Sequence, residues 1–187
     1  MILIIDCGSS KTKFIEQLVY EFMDTRIVSL HDFDEQSLDG IQGVILSGAP
    51  ILITEINMDP YLEKMSWIRS TTLPVLGICF GHQLIGLLYG AFASRMREDR
   101  DFQTIESLEN SPLFDRLPIE FQMMEDHCEA ISIPSGFQLL AVSDACINEA
   151  MKHTDKLLFG VQFHPEVSGN HGAVLLENFV RMCEVKK

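Results

Sequence analysis

The chain has 187 residues, enough for one domain with a full core and too few for two of ordinary size, so we expect a single domain over residues 1–187. Apolar residues make up 47% of it and charged residues 22%, which is an ordinary globular composition. The 27 acidic and 14 basic residues give a formal charge of −13, which repels phosphate backbones and anionic lipids and therefore argues against nucleic-acid or membrane partners.

The first half of the chain alternates strand-like and helix-like segments. Four short β-branched runs indicate buried strands, at residues 2–6, 26–30, 43–47 and 73–78. Between them, residues 11–23 place Phe14, Leu18 and Phe22 on one helical stripe, and residues 59–70 begin with an Asp cap and a proline. This alternation predicts parallel strands joined by right-handed crossovers, in a flavodoxin-like doubly wound α/β sheet with flanking helices.

The second half changes to short strand candidates separated by turns. They lie at residues 102–108, 119–124, 130–133, 137–143 and 157–163. We expect them to form an antiparallel extension of a mixed sheet. Residues 171–187 close the chain with a predicted helix whose apolar face carries Val174, Leu175, Phe179 and Met182.

The N-terminus and the cysteines point to a reducing compartment. The N-terminal run MILIIDCGSS is too short for a signal peptide, and no apolar stretch reaches the roughly 20 residues of a membrane helix. The five cysteines are odd in number and irregularly spaced, at Cys7, Cys79, Cys128, Cys146 and Cys183. This spacing favours neither a disulfide framework nor a metal site. We therefore expect a cytoplasmic protein without a metal.

Residues 77–81 read GICFG and lie where the fourth strand becomes a helix. A G-x-C-x-G pattern is the thiol counterpart of a nucleophile elbow, in which the glycines relieve a crowded turn. The Cys79 side chain would project at the carboxyl end of the sheet, and the helix N-terminus behind it would favour the thiolate. The alternative is a buried cysteine acting as a small hydrophobe.

A candidate base and a candidate oxyanion hole accompany this cysteine. His164 and Glu166 are two residues apart on a segment expected to be extended, so both can point the same way, with Pro165 stiffening the geometry. The SGAP turn ends the third strand, and we assign the oxyanion hole to the backbone amides of Ala49 and Phe80. Taken singly, the alternatives are a surface His–Glu pair and an ordinary turn.

These three blocks, in this order, resemble the class I glutamine amidotransferases over almost the whole chain. The resemblance implies a Cys79, His164 and Glu166 triad that hydrolyses glutamine to glutamate and ammonia through a γ-glutamyl thioester. It also implies that Gln83 binds the substrate, while His82 is interpreted as a packing residue. Further substrate contacts are expected at the loop glycine Gly48 and at Asp126 and His127.

Several stretches look most like the glutaminase subunit or domain of GMP synthase, among them VILSGAP, EAMKH and FGVQFHPEV. That resemblance implies that the partner is a separate ATP pyrophosphatase subunit, which would hold ATP and magnesium, so no cofactor is expected in this chain. Two segments depart from the family pattern. EDHCEA replaces a Ser-His-Gly/Lys-Asp segment, and IDCGSSKT replaces a Gly-Gly-Gln-Tyr type of loop.

Three other interpretations stay open at this point. IDCGSSKT is also similar to the first phosphate loop of actin-like ATPases and sugar kinases, but those folds need two large lobes and a second acidic phosphate loop, for which this chain is too short. A strand-to-helix turn in which Ser9 or Ser10 caps the helix is therefore the preferred interpretation. The chain could instead be a stand-alone hydrolase of γ-glutamyl compounds. The third interpretation is a non-catalytic binding protein on the same fold.

Overall fold

A computed structural model describes residues 1–184 of the chain. Within these residues there are nine strands: β1 (Ile2–Asp6), β2 (Thr25–Ser29), β3 (Gly43–Leu46), β4 (Val75–Ile78), β5 (Ala93–Ser107), β6 (Glu120–Ile131), β7 (Phe137–Val142), β8 (Ala150–His153) and β9 (Leu158–Val161). The same residues form four α-helices: α1 (Thr12–Tyr20), α2 (Asp59–Lys64), α3 (Phe80–Leu88) and α4 (Gly169–Glu184). The last three residues of the predicted C-terminal helix, 185–187, lie outside the described residues.

All nine strands form one mixed sheet in the order β2-β1-β3-β4-β9-β8-β7-β5-β6. Neighbours from β2 to β9 are parallel, and neighbours from β9 to β6 are antiparallel. The expected mixed α/β fold with an antiparallel extension is therefore confirmed. The assignment of the β9 run to the extension was wrong, because β9 pairs in parallel with β4 and joins the two halves. All four residues of β9 are buried, and the sequence of a strand that is buried on both faces does not show whether its neighbours are parallel or antiparallel.

The core lies on both faces of the sheet. Ile2 and Ile4 of β1 belong to the apolar cluster that includes residues of α1 and α4. Leu3 and Ile5 belong to the opposite cluster, which includes α3 residues and side chains next to α2. This division follows from the two-residue period of a strand, which sends successive side chains to opposite faces.

The buried face of α1 differs from the predicted one. Ile15 and Val19 are fully buried, whereas Phe14 is 46% and Phe22 41% exposed. Leu18 is partly buried against the core cluster, so one member of the predicted stripe does face inward. Phe14 and Phe22 have a spacing that fits one helix face, and Ile15 and Val19 have a spacing that fits another. Hydrophobicity alone did not show which of the two faces is buried.

Several other element predictions need correction. The predicted helix at 59–70 is divided into α2 and a short 3-10 helix, Ser66–Arg69, and Met58 rather than Asp59 is the N-cap of α2. In the second half, β6 combines two predicted strands, β5 begins at Ala93 instead of residue 102, and β8 was not predicted as a strand. No helix within residues 1–184 combines the length and apolarity needed to cross a lipid bilayer.

Candidate active site

Cys79 lies at the sharp turn between β4 and α3. Its φ of 50° and ψ of −106° are strained for a residue other than glycine. The Cys79 backbone N–H donates to the Val161 carbonyl at 2.8 Å, which ties the turn to β9. The thiol therefore lies at the carboxyl end of β4 and at the N-terminus of α3. The predicted elbow is confirmed.

The two glycines of the elbow leave no room for a side chain. A Cβ added at Gly77 would lie 2.4 Å from the Gly81 carbonyl and 2.7 Å from the His82 nitrogen. One added at Gly81 would lie 2.6 Å from the Leu46 carbonyl oxygen. The helix can thus start directly against β3 and β4. His82 is fully buried against β9, as expected of a packing residue.

His164 and Glu166 follow the end of β9. The His164 Nδ1 atom is 2.7 Å from Glu166 Oε1, and both residues are buried. Residues Pro165–Val167 form a 3-10 turn, so the prediction of an extended segment was wrong. The two side chains meet because the chain turns after His164. Glu166 lies on the side of the imidazole away from the thiol, where it can fix the tautomer.

The imidazole of His164 interacts with Cys79 as well as with Glu166. Burial lowers the pKa of His164, but the interactions with Cys79 and Glu166 outweigh burial and raise this pKa to about 10. The site therefore favours the imidazolium form of His164 at neutral pH. Gln162 Nε2 lies 3.6 Å from the Cys79 sulfur and adds a second donor toward it.

A cavity of about 400 Å³ opens beside this pair. Six of the predicted site residues line it: Ala49, Cys79, Gln83, Asp126, His127 and His164. The other three lie just behind the wall. Glu166 supports His164, the Gly48 α-carbon is close enough that an added Cβ would lie 3.2 Å from His164 Cε1, and the Phe80 side chain is buried against Tyr61.

The two amides assigned to the oxyanion hole have no competing partner. Within residues 1–184, neither the Ala49 nor the Phe80 N–H donates to a protein acceptor. The Phe80 amide is the first N–H of α3, and such groups have no acceptor within the helix. The Ser47 hydroxyl fixes the start of the Ala49 loop by accepting from the Cys7 N–H at 2.9 Å. Both amides are thus available to a ligand.

Comparison with known proteins agrees with this geometry. The model of the family "Glutamine amidotransferase class-I" matches residues 3–183. The chain belongs to the class I glutamine amidotransferases. A glutamine-hydrolyzing GMP synthase subunit from Pyrococcus furiosus is 36% identical over 188 residues, covering 98% of each chain. The protein of the same name from Methanocaldococcus jannaschii is 36% identical over 192 residues, covering 100% of this chain and 99% of its own.

Solved structures give the same family and fold. A Thermoplasma acidophilum protein assigned as a GMP synthase subunit superposes with a TM-score of 0.89 at 30% identity, covering 97% of this chain and 92% of that one. A glutamine amidotransferase from Thermotoga maritima superposes with a TM-score of 0.76 at 18% identity, over 97% and 83% of the two chains. The second likeness concerns the fold alone.

The EDHCEA departure of this amidotransferase positions the loop that follows SGAP. The Glu129 carboxylate is buried and accepts from the backbone N–H groups of Ile53 at 2.5 Å and Thr54 at 3.2 Å. Its carbonyl accepts from Gln83 Nε2 at 3.0 Å. Gln83 also donates to Gln162 at 3.1 Å, so its Oε1 is the amide atom left for a substrate. Sequence reasoning missed Glu129, because its partners are distant in the chain.

The IDCGSSKT departure forms a turn that brings a lysine to the cavity. Asp6 Oδ1 accepts from the Gly8 N–H at 2.9 Å and from the Thr12 hydroxyl at 2.7 Å, and the Ser9 hydroxyl accepts from the Lys11 N–H. The segment is thus an ordinary strand-to-helix turn, but neither Ser9 nor Ser10 caps α1, because its N-cap residue is Lys11 and no side-chain cap hydrogen bond forms. Lys11 Nζ then lies 2.8 Å from Asp126.

Four charged side chains meet at the mouth of the cavity. Arg100 lies 2.6 Å from Glu98 and 3.8 Å from Asp126, which also pairs with Lys11. The hydrogen bond from Lys11 holds the pKa of Asp126 below its usual range. The mouth is therefore lined by both signs of charge.

A serine that sequence reasoning also missed holds the His164 segment in place. The Ser168 hydroxyl donates to the His164 carbonyl at 2.6 Å and accepts from the Met124 N–H at 2.9 Å. The His164 N–H in turn donates to the Met124 carbonyl at 2.9 Å. The position of the imidazole therefore depends on β6 as well as on β9.

Replacing Ser168 with alanine is expected to weaken both stability and turnover. The Met124 N–H would lose its acceptor, which costs about 1–3 kcal/mol for a buried donor. The released His164 segment would also misplace the imidazole. Urea unfolding and steady-state glutamate release measure the two effects. Ser70→Ala is the matched control, because the exposed Ser70 hydroxyl also donates to a backbone carbonyl; equal effects of the two substitutions would contradict the prediction.

A further prediction concerns the protonation of His164. Its pKa in the folded chain exceeds the ordinary value of 6.5, so its contribution to stability is complete below 6.5 and is lost as pH rises through about 10. In Cys79→Ala the pKa of His164 is expected to fall. Burial still lowers this pKa, and only Glu166 remains to raise it. Ring chemical shifts of isotope-labelled histidine measure it. An unchanged pKa in Cys79→Ala would contradict the interaction with the thiol.

Proposed function

We propose that this chain hydrolyses L-glutamine and delivers the ammonia to an ATP pyrophosphatase subunit that converts XMP to GMP. The observation that carries the proposal is a strained cysteine that shares one cavity with a hydrogen-bonded His164–Glu166 pair and with two free backbone amides. The full-length similarity to proteins named as subunits of glutamine-hydrolyzing GMP synthase supports the choice of acceptor.

The reaction follows from the order of the groups. The Cys79 thiolate attacks the amide carbon of glutamine, and the negative charge that develops on oxygen is placed between the Ala49 and Phe80 amides. The His164 imidazolium gives its proton to the departing nitrogen, so ammonia leaves and a γ-glutamyl thioester remains. The neutral imidazole then removes a proton from water, which attacks the thioester and releases glutamate.

The mouth of the cavity suits a zwitterionic amino acid. Glutamine carries an α-carboxylate, which Lys11 or Arg100 can bind, and an α-ammonium group, which Asp126 or Glu98 can bind. The side-chain amide would then reach inward past Gly48 to Cys79, where Gln83 Oε1 can accept an amide N–H. This assigns substrate binding to Asp126 through its charge and to Gly48 through its lack of a side chain.

Control by the partner is expected at the loop that carries Ala49. Ammonia released into water at neutral pH becomes mostly ammonium, which is not a nucleophile, so uncoupled hydrolysis would waste glutamine. One oxyanion donor is worth roughly 100- to 1,000-fold in rate. The Ala49 loop continues into Ile53 and Thr54, which Glu129 holds at the cavity edge. A partner docked there could orient the Ala49 amide.

The test measures glutamate release by the purified chain, alone and with the organism's ATP pyrophosphatase subunit, ATP, magnesium and XMP. We expect slow release alone and a marked increase with the complete mixture, together with GMP formation. Omitting XMP is the control for simple docking. Full activity alone, unchanged by the additions, would refute coupling. Hydrolysis of γ-glutamyl peptides in preference to glutamine would then indicate a stand-alone hydrolase, and no hydrolysis at all would indicate a binding protein.

A further inference from the structure

A second group of chemically reactive side chains is buried behind the glutamine cavity. Glu125 and His127 come from β6, Glu149 precedes β8, and Cys146 lies in the β7–β8 connection. Their exposed fractions are 1%, 8%, 0% and 3%. The triad does not use any of them. We call these four residues the buried cluster.

The tautomer of His127 leaves a lone pair directed into the buried cluster. His127 Nδ1 lies 3.0 Å from the Glu129 carbonyl oxygen, an acceptor, so Nδ1 carries the proton. The other nitrogen, Nε2, is then unprotonated in the neutral ring, and it lies 3.2 Å from Glu125 Oε2. Either a proton or a cation must therefore lie between these two atoms, since burial raises the pKa of Glu125 to about 8. A histidine that donates one N–H to a carbonyl and presents the other nitrogen inward is the usual arrangement of a metal ligand.

The carboxylates of the buried cluster also lack donors. Glu149 Oε1 accepts from the Ser143 hydroxyl at 2.7 Å, but Glu149 Oε2 and both oxygens of Glu125 have no donor, and these two carboxyls interact with each other. Asp99, opposite His127 in the β5–β6 register, adds a third buried carboxyl with an unpartnered oxygen. Among residues 1–184, no lysine or arginine side chain is buried to balance these groups. Isolated buried carboxylates are costly unless they are protonated or bind a cation.

We propose that the buried cluster binds one divalent cation of the zinc type, through His127, Cys146 and Glu149, with Glu125 as the fourth ligand. The candidate ligand atoms of the first three residues lie within 4.8 Å of one another. Imidazole, thiolate and carboxylate are the donors that zinc takes in tetrahedral protein sites. Four protein ligands leave no position for a substrate, so the ion is structural.

The ion joins β6 to the segment before β8 and thereby supports the wall of the glutamine cavity. Glu129, two residues beyond His127, accepts a hydrogen bond from Gln83 at its backbone carbonyl. His127 itself lines the cavity. Both ring nitrogens of His127 face protein groups, so neither is free to contact glutamine. On this proposal His127 has a structural role, in place of the substrate contact expected from the sequence. The irregular cysteine spacing did not indicate this site, because its ligands come together only in the folded sheet.

The experiment uses the full chain without an affinity tag, stripped with a chelator and then titrated with Co²⁺ or Zn²⁺. We expect one ion per chain after dialysis, and for Co²⁺ a thiolate-to-metal charge-transfer band in the near ultraviolet. Because Cys79 and His164 could also bind a metal, the titration is repeated on Cys79→Ala, which should keep the band. Cys146→Ser should lose it, and Cys183→Ser, which changes a buried cysteine elsewhere, should keep it.

A second substitution keeps the test decisive if Cys146→Ser does not fold. Glu149→Gln removes a ligand charge with little change of shape. The substitution should weaken metal binding by more than roughly 10- to 100-fold, which is the usual loss when a residue that only hydrogen-bonds a metal ligand is replaced. Absence of a stoichiometric ion would overturn the proposal. Protons shared between the carboxyls would then neutralise the buried cluster. A band lost in Cys79→Ala but kept in Cys146→Ser would also overturn it.

Discussion

Cys79→Ala is expected to abolish glutamine hydrolysis, with a loss of at least about 10⁴-fold, while the chain stays folded. No other cysteine within residues 1–184 lies at a strained turn next to a buried histidine. Alanine keeps the Cβ and the backbone conformation of this turn, so the substitution removes only the small side-chain sulfur and the chain should stay folded. Glutamate release and thermal unfolding of the same sample separate the two quantities.

Mass spectrometry after treatment with a glutamine-like alkylating agent provides the direct measurement. One label is expected, on Cys79. Cys128 is the matched control, because it also lines the cavity and is only partly buried. Cys128→Ser should still be labelled once. A label on Cys7, Cys128, Cys146 or Cys183 in the wild-type chain would contradict the assignment of the nucleophile.

His164→Asn is expected to lower the rate by roughly 10⁴-fold, and Glu166→Gln by a smaller factor near roughly 100-fold. Asparagine cannot exchange a proton with the thiol or with the departing ammonia. Glutamine at position 166 can still hydrogen-bond the ring, although it no longer stabilises the imidazolium. Steady-state kcat and KM for glutamine measure both substitutions, and the loss should fall on kcat.

His31→Asn is the control for these two substitutions, because the His31 side chain is 95% exposed. Its rate should equal that of the wild type. The competing candidate for the base is His127, which also lines the cavity. If His127→Asn abolished turnover in a folded chain while His164→Asn remained active, the base would be wrongly assigned.

The sequence predicted those parts of the site that depend on local geometry. The elbow could be predicted because Gly77 and Gly81 must lack side chains for a strand to turn directly into a helix. The parallel half of the sheet follows from buried β-branched runs that alternate with amphipathic segments. Local pattern was insufficient for α1, where two apolar stripes compete, and for β9, whose neighbours are set by the rest of the sheet.

The supporting residues could not be found in this way, because their partners are distant in the chain. Glu129 contacts Ile53 and Thr54, and Ser168 contacts Met124. No regular spacing in the sequence predicts such contacts for a buried glutamate or serine. The two amides assigned to the oxyanion hole could be predicted because they belong to turns at strand ends, which the parallel topology places at the same edge of the sheet.

The central position of β9 has a consequence for the order in which the protein becomes active during synthesis. Cys79 is on the carboxyl side of β4, and its base follows β9, which is made near the end of translation but pairs in the middle of the sheet. A nascent chain that has completed β4 already carries its nucleophile but has neither His164 nor the strand that positions it. If His164 is the base, we expect that incomplete chains do not hydrolyse glutamine and that activity begins only when β9 has joined the sheet.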